Sequence, residues 1–291
     1  MRCAFLTMQD PGNFVTDYAL GIPPMQDLGW TVDCVPWRRP HTHWNTYDAV
    51  YICTPWDYPA HVDEFLAVLQ AIDESDAVLV NALEIVRWNL TKTYLKDLEL
   101  GGAAIVPSSW HADFDVQVVQ DLFSSYGTNK LVLKPQLGAN AADTFVLQQP
   151  LDADLLVELR TLFRRRPFLV QPFVESIRST GEYSLFFLGG AYSHCIQKVP
   201  KAGDFRVQEE HGADIQAVVA PGDLVDIAEG VLQLVEPRPV YARVDFVHDN
   251  ERGYLLMELE LIEPSLYLRT CAGAPEKFAR AFDEHVRRLK K

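Results

Sequence analysis

The chain has 291 residues and a formal net charge of −14 at pH 7. That length predicts about two domains, or three small ones, at roughly 100–200 residues each. The acidic balance argues against general binding to nucleic acids or to anionic membrane surfaces, because both carry negative charge. Five widely spread cysteines without a CxxC pair favour a reduced cytoplasm, and no apolar run is long enough to span a membrane.

Residues 1–90 alternate between predicted strands and helices. The strands are predicted at 3–7, 31–36, 49–53 and 77–80, and the helices at 18–28 and 62–72. This order is typical of an open, mostly parallel α/β sheet, which binds ligands at the carboxyl ends of its strands. The loops at 8–17 and 54–59 are therefore candidate substrate contacts, although any surface loop would look polar. No GxGxxG motif follows the first strand, which argues against a dinucleotide-binding domain.

Residues 81–167 indicate a small α+β module. Helices are predicted at 83–98, 116–123 and 155–163, and strands at 104–107, 130–135 and 144–147. Lys134 follows the apolar run Leu131-Val132-Leu133, and a loop of small residues comes next at 138–142. Backbone N–H groups of such a loop can lie over phosphates, although a single lysine is more often a surface residue.

Residues 168–291 are predicted to form strands at 168–173, 182–188 and 191–199, then a helix at 223–234, a hairpin, and a terminal helix at 275–289. Gly189-Gly190, between two alternating runs, is a hairpin signal. A polar stretch at 200–212 separates these strands from the helix.

The last predicted hairpin, with strands at 240–247 and 254–262, gathers charged side chains. A turn centred between Asn250 and Glu251 predicts that Asp245 faces Leu256, Arg243 faces Glu258 and Tyr241 faces Glu260. One face then takes the apolar residues Ala242, Val244, Phe246, Leu255, Met257, Leu259 and Leu261. The other face takes Arg243, Asp245, Glu258 and Glu260, a set that suits either Mg²⁺ or a solvated sheet surface. The polar run Glu263-Pro264-Ser265 continues past the strand end, where a site would lie.

Taken together, these segments resemble the ATP-grasp superfamily and, within it, the glutathione-synthetase-like ligases. The matching pieces are Lys92, the Leu-Lys-Pro strand at Lys134, Val170-Gln171-Pro172-Phe173-Val174, Gly181-Glu182-Tyr183, Lys198-Val199-Pro200, Gly203-Asp204-Phe205-Arg206, Arg243-Val244-Asp245 and Glu258-Leu259-Glu260. Three further blocks resemble a subgroup that includes the D-cycloserine-forming ligase. They are Thr54-Pro55-Trp56-Asp57-Tyr58, Arg87-Trp88-Asn89 and the run from 258 to 265.

The resemblance implies an ATP-grasp fold and three sections. An N-terminal α/β substrate-binding domain at 1–90 precedes a lid subdomain at 91–167 and a C-terminal subdomain with the magnesium site at 168–291. It also implies an ATP-dependent carboxylate–amine ligase that forms an acyl phosphate, releases ADP and phosphate, and acts on an amino acid or a small peptide-like substrate. By analogy with relatives, the reaction could also be an intramolecular cyclisation and the protein could be a homo-oligomer.

The resemblance assigns roles to individual residues. Two lysines are assigned to the α- and β-phosphates of ATP, Lys92 and Lys134. The adenine is assigned to Gln171, Phe173 and Val174, and the ribose to Glu182. Lys198 is a further ATP-binding residue. For two Mg²⁺ ions, with Mn²⁺ as an alternative, the assigned residues are Asp245, Glu258 and Glu260; for the transferred phosphoryl group they are Arg206 and Arg243. Glutathione synthetase has Asn at the position of Glu260, and its phosphate loop is richer in glycine than residues 138–142.

The acceptor pocket is less well defined by the sequence. Asp57 is a candidate for holding a substrate ammonium, Trp56 and Tyr58 for packing on its body, and Ser265 for a further contact. A catalytically lapsed ATP-binding regulator or scaffold of the same fold is the main alternative. The set of charged residues in the last hairpin argues against it, because binding alone does not need them all.

Overall fold

The computed structural model describes residues 1–291, which form three β-sheets and eight α-helices. The strands are β1 (Arg2–Thr7), β2 (Thr31–Pro36), β3 (Ala49–Thr54), β4 (Val78–Val80), β5 (Ser109–His111), β6 (Lys130–Pro135), β7 (Phe145–Gln148), β8 (Phe168–Pro172), β9 (Glu182–Leu188), β10 (Ala191–Val199), β11 (Asp214–Val218), β12 (Tyr241–Asp249) and β13 (Gly253–Glu260). The helices are α1 (Ile22–Asp27), α2 (Val62–Asp73), α3 (Leu83–Asn89), α4 (Tyr94–Leu100), α5 (Val116–Tyr126), α6 (Ala153–Leu162), α7 (Leu224–Gln233) and α8 (Ala274–Leu289).

The first sheet has the order β2-β1-β3-β4, and all its strands are parallel, as the alternation of elements predicts. Its central strand β3 is buried along its whole length, because both faces of the sheet are covered. One face packs on α2 through Phe65, Leu69 and Ile72. The other packs on α8 and on the third sheet through Phe278, Phe282 and Tyr241.

The other two sheets are largely antiparallel and supply most of the cleft described below. The second sheet has the order β5-β8-β6-β7, and the third has the order β11-β10-β9-β12-β13.

The division of the chain into three sections at residues 90 and 167 is a proposal. The helix α8 belongs by sequence to the last section, yet its apolar face packs against the first sheet.

A buried amide joins the first sheet to the third. Asn81 donates from Nδ2 to the carbonyl oxygens of Tyr241 (3.0 Å) and Leu261 (2.9 Å), and its Oδ1 accepts the Val240 N–H. Asn89, the last residue of α3, makes a similar bond: its Nδ2 donates to the Leu259 carbonyl oxygen at 2.9 Å. These amides hold the end of β13 in place beside the first sheet, because each saturates backbone groups that have no strand partner there.

We expect Asn81→Ala to lower the free energy of unfolding by about 3 kcal/mol, since it leaves three buried backbone groups without partners. Urea titration followed by circular dichroism measures the change. Asn250→Ala, in the exposed hairpin turn, is the matched control and should change the value by less than about 0.5 kcal/mol. Equal stability of the two variants would show that the amide does not join the sheets.

Several predicted elements differ from the structure. The predicted helix at 83–98 is two helices, and Lys92 lies in the turn between them rather than inside a helix. The backbone leaves the helix here because the Lys92 N–H bonds the Gln136 carbonyl oxygen at 2.7 Å. The predicted strand at 104–107 is a single bridge between Ile105 and Leu256, and the short strands β5 and β11 were not predicted.

The predicted register of the last hairpin is wrong by two residues in its charged half. Asp245 pairs with Glu258 and Arg243 with Glu260, because a bulge between Asp245 and Phe246 makes Met257 an extra residue in β13. The four charged residues share one face, as predicted. The apolar face was wrong at Leu255 and Met257, which join the cluster around Phe173 and Val106, whereas Leu256 takes the core position.

No helix in the structure is both long enough and apolar enough to span a membrane.

Candidate functional site

A cleft with a volume of about 200 Å³ opens between the three sheets. All of the predicted site residues except Asp57 line it. They come from β6, β8, β9, β10, β12 and β13, from the turn between α3 and α4, and from the loops that follow β3, β8, β10 and β13. Residues far apart in the sequence thus converge on one cavity. This convergence is what a ligand site requires and what a solvated sheet surface would not show.

The centre of the cleft is a buried network around Asp245. Arg243 Nη2 lies 3.0 Å from the Asp245 carboxylate and also pairs with Glu260, and Ser184 donates to Asp245 at 2.6 Å. Lys198, on β10, pairs with Glu182 and lies 3.6 Å from Asp245. Burial favours the neutral form of Asp245, but Arg243 and Lys198 outweigh it, so its pKa is lowered.

Strand β9 begins at Glu182, and the backbone just before it requires a glycine, Gly181. Gly181 has a φ of +80°, and a Cβ there would lie 2.3 Å from the Lys198 carbonyl oxygen. Only glycine permits this approach of β9 to β10, which places Glu182 opposite Lys198 in the ladder.

Two lysines approach the network from the second sheet and its neighbouring turn. Lys92 Nζ lies 2.7 Å from Glu258 and 3.2 Å from the Gly138 carbonyl oxygen. Lys134 is 8% exposed and faces the Met257 sulfur at 3.7 Å. Burial lowers the pKa of Lys134 to about 8, which marks it as a cation held without a close carboxylate partner.

The carboxylates of β13 respond differently to their surroundings. Burial acts to raise the pKa of Glu258, but Lys92 and Lys134 outweigh it and lower the pKa. Burial raises the pKa of Glu260 to about 7 despite its pairing with Arg243, since Glu258 adds repulsion. Glu260 is therefore less acidic than Glu258, which lies two residues earlier in the same strand.

The loop that follows Lys134 has an unusual backbone. Asn140 and Ala141 have φ values of 54° and 52°, in the left-handed region that non-glycine residues rarely adopt. Two consecutive left-handed residues make a tight turn, which the Ala142 N–H closes by bonding the Ala139 carbonyl oxygen at 3.0 Å. The small residues after Lys134 thus form a turn with asparagine and alanine where glycine is usual, and their contact with phosphates stays a prediction.

An apolar slot lies beside the end of β8. Phe173 is buried together with Val106, Ile177, Val207, Val247 and Leu255. The Phe173 N–H bonds the Lys130 carbonyl oxygen at 3.1 Å, and Gln171 donates to the Ser108 hydroxyl at 2.9 Å. Backbone groups at a strand end beside an apolar slot suit a flat, hydrogen-bonding ring such as adenine.

A second loop, residues 203–212, covers the other side of the cleft. Arg206 is oriented by Asp204, which accepts from its Nη2 at 2.9 Å, and the guanidinium holds the pKa of Asp204 well below its usual range. Arg269 pairs with Asp17 at 3.4 Å and with Glu209, so it links this loop to the loop after β1.

The far end of the cleft is aromatic. Trp56 packs edge-on against Phe14 at 5.1 Å between ring centroids and donates from Nε1 to the Glu263 carbonyl oxygen at 3.0 Å. Tyr58 stacks on Phe65 at 4.6 Å. The assignment of Asp57 needs correction, because its carboxylate accepts from Trp37 Nε1 at 2.7 Å and does not line the cleft.

Sequence reasoning assigned no role to Glu263. This half-buried residue lines the cleft beside Tyr58, and burial together with Glu260 raises the pKa of its carboxyl to about 8. The available signal was the polar run Glu263-Pro264-Ser265 after the strand.

The carboxylates fit a magnesium site that the ligand completes. No three His, Cys, Asp or Glu side chains come close enough together to hold a metal ion by themselves. Mg²⁺ in nucleotide sites usually takes one or two carboxylates and fills its remaining positions with phosphate oxygens and water. Asp245, Glu258 and Glu260 are carboxylates of this kind and lie on two paired strands.

Comparison with protein-family models gives two matches. Residues 3–81 match the model described as D-cycloserine synthetase DcsG, N-terminal domain. Residues 99–253 match the model described as prokaryotic glutathione synthetase, ATP-grasp domain.

Comparison with individual proteins gives consistent results. The chain is 29% identical over 285 residues to the cycloserine biosynthesis protein DcsG of Streptomyces lavendulae, with 91% of this chain and 94% of that protein covered. The crystal structure of D-cycloserine synthetase DcsG superposes with a TM-score of 0.87 at 27% identity, covering 98% of this chain and 100% of that one. The ATP-grasp ligase PsnB, solved with a precursor variant, Mg and ADP, shares the fold with a TM-score of 0.69 at 15% identity, covering 98% of each chain.

Proposed function

The chain belongs to the ATP-grasp ligases of the prokaryotic glutathione synthetase type, and from that premise we propose that it activates a substrate carboxylate as an acyl phosphate. It is an ATP-dependent ligase that forms C–N bonds. The observation that carries the proposal is the convergence of Lys92, Lys134 and Arg243 with Glu258 and Asp245 on one cleft.

ATP lies along the cleft in this proposal. The apolar slot around Phe173 takes the adenine, the backbone at residues 171–174 reads its edge, and Glu182 receives the ribose hydroxyls. Lys92 and Lys134 neutralise the α- and β-phosphates, while the loop at 138–142 covers them with backbone N–H groups. Lys198 supports the site by compensating Glu182 and Asp245 in the interior.

Asp245, Glu258 and Glu260 are proposed to hold two Mg²⁺ ions, with Mn²⁺ as a possible replacement. The metal supplies charge neutralisation on the phosphate oxygens and aligns the γ-phosphoryl group for in-line transfer. The carboxylates lie on adjacent positions of β12 and β13, so the sheet fixes their spacing before any ligand binds.

The chain's own residues then govern the transfer. Arg206 and Arg243 hold the transferred phosphoryl group and the acyl phosphate, since both guanidiniums face the cleft and each is oriented by a carboxylate. An amine attacks the acyl carbon and phosphate leaves. The loops at 138–142 and 203–212 keep water away from the acyl phosphate, which would otherwise hydrolyse.

The substrate is proposed to be an amino acid or a small peptide-like molecule. The similar protein from Streptomyces lavendulae is named for cycloserine biosynthesis, which favours a small amino-acid derivative that cyclises within one molecule. The aromatic end of the cleft, with Phe14, Trp56 and Tyr58, is the acceptor pocket in this proposal.

Isotope transfer tests the acyl phosphate. A panel of amino acids labelled with ¹⁸O in the carboxylate is incubated with ATP and Mg²⁺, and phosphate and nucleotide products are examined by mass spectrometry. Appearance of one ¹⁸O atom in inorganic phosphate, together with ADP, is the expected result. Appearance of the label in AMP would mean that an adenylate forms instead, and the acyl-phosphate mechanism would be wrong.

Glu260→Gln should raise the Mg²⁺ concentration needed for half-maximal activity by about tenfold, because one negative ligand is lost. A Mg²⁺ titration of ATP-dependent phosphate release measures this. Glu251→Gln, in the exposed hairpin turn, is the control and should leave the titration unchanged. Identical midpoints for Glu260→Gln and the wild type would remove Glu260 from the metal site.

Nucleotide affinity should fall as the pH rises above about 8. Above that pH, Lys134 is neutral in the free protein because its pKa is about 8. The lysine must take up a proton before it can neutralise a phosphate, so the affinity falls by at most about tenfold per pH unit. Between about pH 7 and pH 8 the lysine is already charged and the affinity should be flat, whereas below about pH 7 protonation of Glu260 weakens the metal site. Calorimetry with a non-hydrolysable ATP analogue measures the profile, and Lys134→Arg, which stays charged, should abolish the decline.

A further inference from the structure

The acidic side chains of the cleft differ in whether a cation compensates them. Glu258 pairs with Lys92, and Glu260 pairs with Arg243. Asp245 has both Arg243 and Lys198 as neighbours. Glu263, three positions past the end of β13, forms no ion pair although it lines the same cavity. Glu210 also lines the cavity without an ion pair, but it is exposed and accepts the Val15 N–H at 3.3 Å.

The carboxyl of Glu263 has no ion-pair partner of its own. Lys92 is paired with Glu258 and Arg243 with Glu260, so neither cation is free to pair with Glu263. Lys92 acts on Glu263 only as a more distant charge. A carboxyl group without an ion-pair partner suits a ligand group of positive charge.

The position of Glu263 is fixed by its neighbours. Its main-chain oxygen accepts from Trp56 Nε1 at 3.0 Å, and Tyr58 lines the same part of the cleft. Tyr58 is in turn held by stacking on Phe65, and Trp56 by Phe14. The carboxyl thus belongs to a rigid aromatic wall, which reduces the entropy lost when a ligand binds.

A small second cavity adjoins this wall. Trp56 and Ser265 line both it and the main cleft, and most of its remaining walls are apolar or aromatic, including Leu266 and Phe278. It lies where β1 and β3 end, beneath the loops that carry Asp17 and Trp56. The structure therefore places a carboxyl beside a narrow, mostly apolar recess.

We propose that Glu263 binds the cationic amino group of the substrate and that the adjoining recess takes a small apolar part of the same molecule. The inference rests on the proposed function and names its substrate class as small molecules with a free primary ammonium. An ammonium supplies the counter-charge that no side chain gives to Glu263, and Trp56, which lines the same cleft, provides an aromatic ring for cation–π attraction. Glu263 thereby takes the role that the sequence suggested for Asp57.

Calorimetry of the full chain in the presence of Mg²⁺ and ADP tests the assignment. The probes are D-serine, L-serine, D-alanine, L-alanine and D-cycloserine, each with a free and with an N-acetylated amino group. For the wild type we expect at least one free amine to bind about 10- to 100-fold more tightly than its acetylated form. Glu263→Gln should abolish this preference, and Tyr58→Phe should reduce it.

Controls separate this inference from the proposed function. Binding of a non-hydrolysable ATP analogue with Mg²⁺ should stay within about twofold of wild type in Glu263→Gln, which also shows that the variant is folded. Glu64→Gln, which removes an exposed partner of Arg38, should bind every probe like the wild type. An unchanged preference in Glu263→Gln, or no preference for free amines in the wild type, would overturn the role of Glu263 while nucleotide binding persists. Loss of nucleotide binding in the wild type would overturn the proposed function as well.

Discussion

Lys134→Ala should reduce ATP-dependent turnover by about 10²- to 10³-fold while leaving the fold intact. The lysine projects from the end of β6 into the cleft, where burial lowers its pKa to about 8 and no carboxylate forms an ion pair with it. Its charge is therefore available to a phosphate. Alanine removes that charge without leaving a buried carboxylate unpaired, so stability should change little.

Measurement of phosphate release and of thermal unfolding on the same preparation distinguishes the two effects. Lys96→Ala is the matched control, because Lys96 is exposed and its ammonium lies over the Trp110 ring at 4.8 Å, outside the cleft. It should keep wild-type turnover. Wild-type turnover in Lys134→Ala would contradict the placement of the phosphates.

Arg243→Met should affect both stability and activity. The guanidinium, with a side chain 11% exposed, compensates Asp245 and Glu260. Its removal leaves Glu260 without an ion-pair partner and the buried Asp245 with Lys198 alone. We expect a loss of about 3 kcal/mol in the free energy of unfolding. We also expect turnover to fall by about 10²-fold or more, since no other group replaces the charge held at the transferred phosphoryl.

Two further variants test this explanation. Arg243→Met combined with Glu260→Gln should regain part of the stability but none of the activity, because one unpaired charge is gone while the guanidinium is still absent. Arg2→Met removes an arginine–carboxylate pair that is exposed, with Asp33 as partner, and should cost less than about 1 kcal/mol. Full stability of Arg243→Met alone would show that the network does not need the guanidinium.

Much of the fold follows from local sequence patterns. Strands β6, β9 and β10 have the bounds that their apolar runs and flanking glycines predict. The parallel first sheet was predicted from the alternation of strands and helices and is confirmed. The resemblance to ATP-grasp ligases of the glutathione synthetase type is also confirmed, by a match over residues 99–253. These features depend on local periodicity or on contiguous motifs.

The differences arise where tertiary contacts override local pattern. The helical spacing at 83–98 continues through Lys92, but the Gln136 carbonyl oxygen captures its N–H and breaks the helix. The bulge at Met257 shifts the hairpin register, and alternation in the sequence carries no sign of it. Asp57 has the right chemistry for an ammonium, but the indole of Trp37 occupies its carboxylate.

The charged set within the cleft was the most predictable part of the site. Arg243, Asp245, Glu258 and Glu260 share one face under both the predicted and the observed register, because a shift of two residues preserves the face of each side chain. Glu263 could not be assigned in the same way. It lies past the strand end, where the period-two rule no longer applies and only its neighbours Tyr58 and Trp56 reveal its position.

The most direct test of the central claim is calorimetric titration of the purified chain with a non-hydrolysable ATP analogue, with and without Mg²⁺. We predict one nucleotide site whose affinity rises by about tenfold or more when Mg²⁺ is present, because the ion would neutralise charge on both the phosphates and the carboxylates of β12 and β13. An affinity that is indifferent to Mg²⁺ would contradict the metal site and favour a lapsed enzyme. The absence of any binding would contradict the nucleotide cleft itself.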